Sequence, residues 1–509
     1  MKIGFKNLRS LKDTGFHEIR SLTFLLGQNS SGKSTFLRAF PLLRQSVETK
    51  TKGPILWYGS YVDFGDFKTA LWDKTEDKTI EFSFDFKLAP ERSNRLYYTG
   101  PNSLINKMRK YREIQFFIKL NSDKNNSTYA SEFKIIINDF ETIVKIDQNR
   151  NVEILVDNHK VKAENIKAYN VMNGFIPQIV SIAKDRMYLG NHNHLTKEVH
   201  QIIKKISKIE YADETIAKII STFNFDSNEA LFNSVKNSDA ATKFSKNVKD
   251  LNIDSLVFKE LKGIMLASNI AYFVNVIDQY LSDTFKAVSY IAPLRATADR
   301  YYRPQELSID EVDFQGKNLA LVLANFSDGE KNRFKEWCLN NFDFYPEATL
   351  NGGNISIFVN FRQDNSTTNL KHNIIDLGFG FSQILPIITQ IWNSVENNNS
   401  RQKKITKIFV IEQPELHLHP KLQTKFIDAL INVLSFCKSK EMDFKFIIET
   451  HSETIINTVG NRIYSQKITA DNVNILLFER KDSFTDIIQA GFNNEGLLVN
   501  WPYGFFEEL

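Results

Sequence analysis

Residues 22–35 read LTFLLGQNSSGKST. The apolar run Leu22-Thr23-Phe24-Leu25-Leu26 runs into a glycine-bounded loop, and Phe36, Leu37, Phe40, Leu43 and Val47 then recur at helical spacing. Strand, loop and helix in that order are the setting in which G-x-x-x-x-G-K-[ST] cradles phosphate, and GQNSSGKS at 27–34 fits that pattern at every position. Gly27 and Gly32 let the backbone wrap so that its N–H groups meet phosphate oxygens, while the helix start adds positive dipole. In the stretch Gly27, Gln28, Asn29, Ser30, Ser31, Gly32, Lys33, Ser34 and Thr35, the lysine would neutralise the β and γ phosphates. Ser34 would offer its hydroxyl to Mg²⁺. A chance Gly/Ser turn would not carry the flanking strand and helix. Pro41 lies inside the helix and predicts a kink or an early end.

Such a loop calls for an acidic residue at the end of a neighbouring strand to hold the metal. KIFVIEQPE supplies one: Ile408, Phe409, Val410 and Ile411 form a buried apolar run that closes on Glu412. Acids at strand ends are common for turn reasons alone, so Glu412 gains meaning only beside the loop. FKFIIETHSE is another apolar strand, ending in Thr450, His451 and Ser452. A histidine there can reach a γ-phosphate and report its presence, although a lone histidine is more often a structural hydrogen-bonder.

Around these motifs the pattern changes several times. Ile3, Phe5 and Leu8 suggest a first strand. Residues 79–157 hold TIEFSFDFK, EIQFFIKL, SEFKIIIN and NVEILVD between Asn/Asp/Ser/Gly clusters, which predicts an antiparallel β arm with LNSDKNNST as an exposed tip. From about 196 to 286 the period is helical: Val199, Ile202, Ile203, Ile206 and Ile209 make one stripe, and Leu261, Ile264, Met265, Phe273, Val274, Ile277 and Leu281 continue it. SYIAPLRA returns to strand character. The last third alternates strands (NISIFVNF, KIFVIEQ, FKFIIET, NVNILLFE) with helices at roughly 382–394, 420–438 and 452–459. That alternation predicts a parallel sheet with crossover helices. The resulting division is 1–78 for the N-terminal part of an α/β head with the phosphate loop and 79–165 for its β-rich arm. A helical insertion follows at 166–288, and 289–509 forms the C-terminal part of the head.

The 509 residues carry 42% hydrophobic and 24% charged side chains, enough for more than one structural unit. A net charge of +4 neither demands nor excludes nucleic acid, so any such contact must be a local patch. Cys338 and Cys437 lie outside any metal-type spacing and fit a reducing cytoplasm. The N-terminus MKIGFKNLRSLKDTG has no apolar leader core, and no long apolar window suggests a membrane span.

GQNSSGKST, IIDLGFGFSQILPII, FVIEQPELHLHP and IIETHSETII occur in that order. Together they resemble the ATP-binding-cassette ATPases of the SMC/RecF type. Within that type they are most similar to the branch that holds the ATPase half of OLD-family proteins and the PtuA ATPases of Septu-type anti-phage systems. The tail GFNNEGLLVNWPYGFFEEL also resembles tails of that branch. The resemblance covers about the first 50 residues and the last 140. It implies a P-loop ABC-type ATPase head, a mixed β-sheet with flanking helices, carrying the antiparallel arm and the helical insertion.

The same resemblance makes 27–35 the Walker A motif, Glu412 the Walker B magnesium ligand and His451 the switch histidine. It assigns Gly378-Phe379-Gly380-Phe381-Ser382-Gln383 as the segment that meets the nucleotide of a second subunit. Gly380, Ser382 and Gln383 are its candidate contacts, although the motif departs from the usual Leu-Ser-Gly-Gly-Gln. Two half-sites imply a head-to-tail homo-oligomer joined by ATP and Mg²⁺. The residue after the magnesium-binding acid is normally a glutamate that activates water; here it is Gln413. An amide orients water but cannot take its proton, so slow turnover is expected, with Glu415 as a stand-in base. His417 and His419, at i, i+2 after a strand, match no zinc pattern, and Pro420 reads as a first helical residue.

Residues 104–124, LINKMRKYREIQFFIKLNSDK, place Lys107, Arg109, Lys110, Arg112, Lys119 and Lys124 among aromatics. This is a DNA or RNA contact by phosphate neutralisation and stacking, or simply a solvated basic face. Arg295, Arg300 and Arg303 follow no spacing rule. The resemblance implies an ATPase that controls a separate nuclease, such as an HNH protein, in antiviral defence. A nucleotide-gated scaffold without turnover and a RecF-like repair ATPase are the alternatives.

Overall fold

The computed structural model describes residues 1–88, 113–162, 166–169, 174–183, 186–189, 196–307, 309–362, 371–399, 406–502 and 505. They form two compact units, Met1–Glu18 with Gln45–Asp283, and Ile19–Arg44 with Thr284–Leu509.

In the first unit, alternating hydrophobicity becomes a nine-stranded sheet. Its spine runs His159–Lys160, Val152–Val156, Phe140–Ile146, Thr128–Ile137, Glu113–Ser122, Ile80–Lys87, Lys2–Leu8 and Leu11–Asp13, and His17–Glu18 also pairs Lys2–Leu8. All of these pairings are antiparallel. The core side of the sheet is aromatic, with Phe82 and Phe84 both edge-on to Phe175 at 6.2 and 5.9 Å. Phe140–Ile146 was not among the strands expected, because DFETIVKID is short and bounded closely by polar residues. The exposed tip holds, with Lys124 and Asn125 on the surface between two strands. Helices Thr196–Ser207, Asp213–Ser221, Asn228–Lys236, Thr242–Asn247 and Leu256–Ala267 follow. Val199, Ile202, Ile203 and Ile206 are buried as their stripe requires, while the first of these helices stops before Ile209. The basic residues 104–112 lie outside the described residues.

The second unit holds a seven-stranded sheet ordered Val288–Ile291, Lys407–Glu412, Phe444–Glu449, Leu22–Gly27, Val473–Arg480, Thr485–Phe492 and Leu498–Val499. The first five strands are parallel and the last two pairings are antiparallel. The central strands are buried on both faces, as continuous apolar runs must be. Phe409 stacks on Phe446 at 5.1 Å across two strands, and each such fully buried side chain contributes about 1.5–3 kcal/mol. This sheet is mixed α/β in architecture, with helices Lys33–Glu48, Phe379–Asn399, Pro420–Ser439 and Glu453–Tyr464 linking or following its strands.

Three details differ from the sequence expectation. Pro41 does not shorten its helix, which continues to Glu48 because Leu42, Leu43 and Val47 beyond it are fully buried. NISIFVNF does not join the parallel sheet; it is the middle strand, Asn354–Phe361, of a separate antiparallel sheet with Phe344–Asn351 and Lys371–Asn373. Strand pattern alone does not say which sheet a strand enters. Finally, the strand ending in Glu412 is not the immediate neighbour of the phosphate-loop strand, because Phe444–Glu449 lies between them.

Candidate nucleotide site

The side chains singled out from sequence converge, in the second unit, at the carboxyl ends of three parallel strands. Leu22–Gly27 delivers the loop, and the helix Lys33–Glu48 starts directly after it. The first N–H groups of any helix have no intrahelical partner, so those of this one are available to an anion. Gly27 has φ +147°, and a Cβ there would lie 2.3 Å from the Phe478 carbonyl oxygen, so only glycine fits. Gly32 (φ 97°) and Ser30 (φ 59°) also hold left-handed backbone, giving the loop its concave turn. Ser31 is buried, and its hydroxyl has no hydrogen-bond partner among the described residues. The donor set fits a phosphate chain.

Lys33 is buried and donates to the carbonyls of Gly27 at 2.9 Å and Gln28 at 2.8 Å. Burial pulls its ammonium below the usual lysine range, and Glu449 and Glu415 oppose that pull. Neutral carbonyl bonds are weaker than charge-assisted bonds to phosphate, so the ammonium can exchange partners when an anion arrives.

Glu412 ends its strand 2% exposed. Arg38, one turn along the loop helix from Ser34, grips it with two bonds of 2.8 Å, and the Tyr290 hydroxyl donates to it at 2.6 Å. This pairing holds the Arg38 guanidinium above its ordinary range, and burial beside Glu412 does the same to the Tyr290 phenol. Ser34 does not face Glu412; its hydroxyl donates to both oxygens of Glu449, at 3.0 and 2.9 Å. Glu449 is the register partner of Glu412 on the adjacent strand. Burial, then the neighbouring Glu412 charge, pushes its carboxyl up to about 7. Arg38, Tyr290 and Glu449 were missed by sequence reading. The only signal for Glu449 was its place at a strand end just before Thr450-His451.

Gln413 sits in left-handed backbone (φ 44°), its N–H bonded to the Glu449 carbonyl at 2.8 Å. Glu415 accepts the His451 backbone N–H at 2.8 Å, and burial raises its carboxyl pKa. The exposed His451 ring has its pKa lowered by partial burial and by Lys33, which keeps it neutral near pH 7. His419 caps the helix that Pro420 opens, its Nδ1 accepting the Lys421 N–H at 3.2 Å. His417 lies 5.9 Å from the Phe379 ring. Among the described residues no group of His, Cys, Asp and Glu side chains clusters as an all-protein metal site.

The glycine-rich segment opens the helix Phe379–Asn399. Gly380 rests on the loop after Glu412, where a Cβ would meet the His417 carbonyl oxygen at 2.8 Å. Ser382 and Gln383 are buried, Ser382 donating to the Phe379 carbonyl at 2.8 Å, whereas Phe379 is 62% exposed. Arg295 is buried between the two halves of the site, donating to the Glu412 carbonyl at 2.8 Å and to Gln383 at 3.4 Å. Burial lowers its guanidinium to about 10. Arg300 instead pairs with Asp376 near the surface, and Arg303 is exposed.

A family model described as AAA ATPase domain matches residues 1–456. The chain belongs to that family. This AAA ATPase domain is also similar to a solved SMC head bound to the C-winged helix domain of ScpA, at 10% identity and TM-score 0.34, over 96% of this chain and 97% of that one. It is similar to the SMC head domain from Thermotoga maritima at 9% identity and TM-score 0.32, with the same coverage of 96% and 97%. No curated protein matches the chain. No helix among the described residues is long and apolar enough to cross a membrane.

The Arg38 grip makes a stability prediction for this AAA ATPase domain. Arg38→Ala leaves a buried carboxylate with only the Tyr290 hydroxyl. Breaking a buried pair costs about 3–5 kcal/mol. Arg38 is 37% exposed, so screening reduces the expected loss to about 2–3 kcal/mol. A urea-unfolding midpoint equal to that of the wild type would contradict it.

Proposed function

We propose that this chain binds ATP with Mg²⁺ at residues 27–35, hydrolyses it slowly, and assembles on it as a head-to-tail homo-oligomer. The observation that carries the reading is the convergence of the phosphate loop, Lys33, Ser34, Glu412, Glu449 and His451 at one end of the sheet. Magnesium, when bound, would neutralise the β and γ phosphates; Ser34 and an acidic strand end are the groups that would hold it. Lys33 holds the phosphate chain, and Gln413 orients water without accepting its proton. Gly380, Ser382 and Gln383 serve the nucleotide of a second copy. Because Ser382 and Gln383 are buried in one copy, the exposed Phe379 at the helix start is what the second copy meets first.

The motif set further supports an output through a separate nuclease, such as an HNH protein, restrained or licensed by nucleotide state in anti-phage defence. In this reading the basic side chains of 104–124 contact DNA or RNA by neutralising phosphates. A second reading, a nucleotide-gated scaffold without turnover, is favoured by Gln413 and by the pairing of Glu412 with Arg38.

Light scattering of the purified chain with no nucleotide, ADP or ATP, each with Mg²⁺, tests the core of this. A larger species with ATP alone, together with slow phosphate release, is expected. No ATP-dependent change in mass and no phosphate release would end the proposal. Co-purification with the product of the adjacent reading frame tests the nuclease: a stoichiometric nuclease is expected, and its absence would remove that part.

A further inference from the structure

Arg295 buries a positive charge without bonding it to a carboxylate. It follows Val288–Ile291, the strand paired in parallel with Lys407–Glu412, so it leaves the sheet beside the end of that strand. The backbone on either side of it is fixed, with the Ala292 and Ala296 N–H groups donating to the Phe314 and Gln315 carbonyls at 2.9 and 2.8 Å. The residue is 5% exposed. Among the described residues its hydrogen bonds go to uncharged oxygens, the Glu412 carbonyl at 2.8 Å and the Gln383 amide at 3.4 Å, and its Nε has none. Glu415 and Glu412 act on its charge without bonding it through their carboxylates. A guanidinium buried on such terms costs stability, and its bonds fall on two segments that the proposed reaction needs together.

The first is the turn at Gln413. The Glu412 carbonyl belongs to the peptide that leads into Gln413, and the N–H of that same peptide donates to the Glu449 carbonyl at 2.8 Å. The peptide is thus held at both ends, its oxygen by Arg295 and its hydrogen by the neighbouring strand. Gln413 then enters left-handed backbone (φ 44°), which is disfavoured for a residue with a β-carbon. Such a conformation persists where its surroundings over-determine it, and without Arg295 the peptide is held at one end only. The second segment is the helix Phe379–Asn399, reached through Gln383. A planar guanidinium meets both oxygens at a fixed separation, which a lysine ammonium cannot do.

We infer that Arg295 is a positioning residue for hydrolysis: it fixes the turn that carries Gln413 and ties that turn to the glycine-rich helix opening at Phe379. The inference rests on the ATP-hydrolysis reading above and adds a residue that acts through Gln413 rather than on the nucleotide.

A double-mutant cycle on the full chain tests this. Phosphate release at saturating ATP and Mg²⁺ is read for Arg295→Met and Arg295→Lys, alone and combined with Gln413→Glu or Gln413→Ala. Residues that act as a unit give non-additive effects. The change in release caused by either substitution at Gln413 is expected to shrink by about tenfold or more when Arg295→Met is present. With Arg295→Lys, which keeps the charge but meets one oxygen at a time, it should shrink by about threefold or more. A staple that only stabilises the fold would leave the effect at Gln413 the same in every background, and that additivity overturns the inference. So does a chain in which neither substitution at Gln413 alters release. Melting temperatures are taken for each variant; where Arg295→Met does not fold, Arg295→Lys decides by its own threshold. Binding of a fluorescent ATP analogue to the wild type separates the two failures. Neither binding nor release ends the ATP reading and this assignment with it, whereas release with additive effects ends this assignment alone.

Discussion

Lys33→Ala should lower phosphate release by about 10²–10³-fold, the usual cost of removing one preorganised donor from a charge-stabilising site. The lysine is buried and pinned to the carbonyls of Gly27 and Gln28. It is thus already inside the loop before any phosphate arrives, and little rotamer entropy remains to be lost on binding. Its loss removes a charge-assisted contact to phosphate and takes the ammonium donor from the Gly27 and Gln28 carbonyls. ATP affinity should fall with the rate. Arginine is not a substitute, since its larger planar fork cannot occupy the same cleft. Turnover in Lys33→Ala within a few-fold of wild type would mean that phosphate is released at some other site.

Gln413→Glu carries the second large effect, in the opposite direction. The side chains are nearly isosteric, and the position is fixed by its backbone: left-handed φ and an N–H bond to the Glu449 carbonyl, neither of which depends on the side chain. The variant therefore changes chemistry more than geometry. Supplying a group able to take a proton from water is worth about 10²–10⁴-fold, so phosphate release should rise by at least about 10²-fold. A near-silent wild type with an active variant would favour the switch-like scaffold. No gain would show that Gln413 is not the limiting deficiency and that Glu415, beside His451, already supplies the base.

The loop and its lysine were legible because they are local: nine consecutive residues with a strand before and a helix after. Glu412 was legible as a strand end, though not its engagement. Its partner Arg38 is 374 positions away in sequence and its partner Tyr290 is 122 away, and no periodicity links them. Glu449 was passed over for a similar reason. FKFIIE looks like any buried strand, and only the sheet order puts it between the Glu412 strand and the loop. The spacing of His417 and His419 matches no zinc pattern, whereas the capping bond of His419 is visible only in the backbone geometry. NISIFVNF shows the limit plainly, since its alternation is compatible with either sheet.

Gly380 has no room for a side chain because the carbonyl oxygen of His417 occupies the space. The loop that follows Glu412 and the start of the glycine-rich helix are therefore in hard contact, with no compressible side chain between them. The loop after Glu412 bends through two left-handed residues, Gln413 and His417. Gly380 thus ties the loop that carries Gln413 to the helix start that exposes Phe379 at the surface.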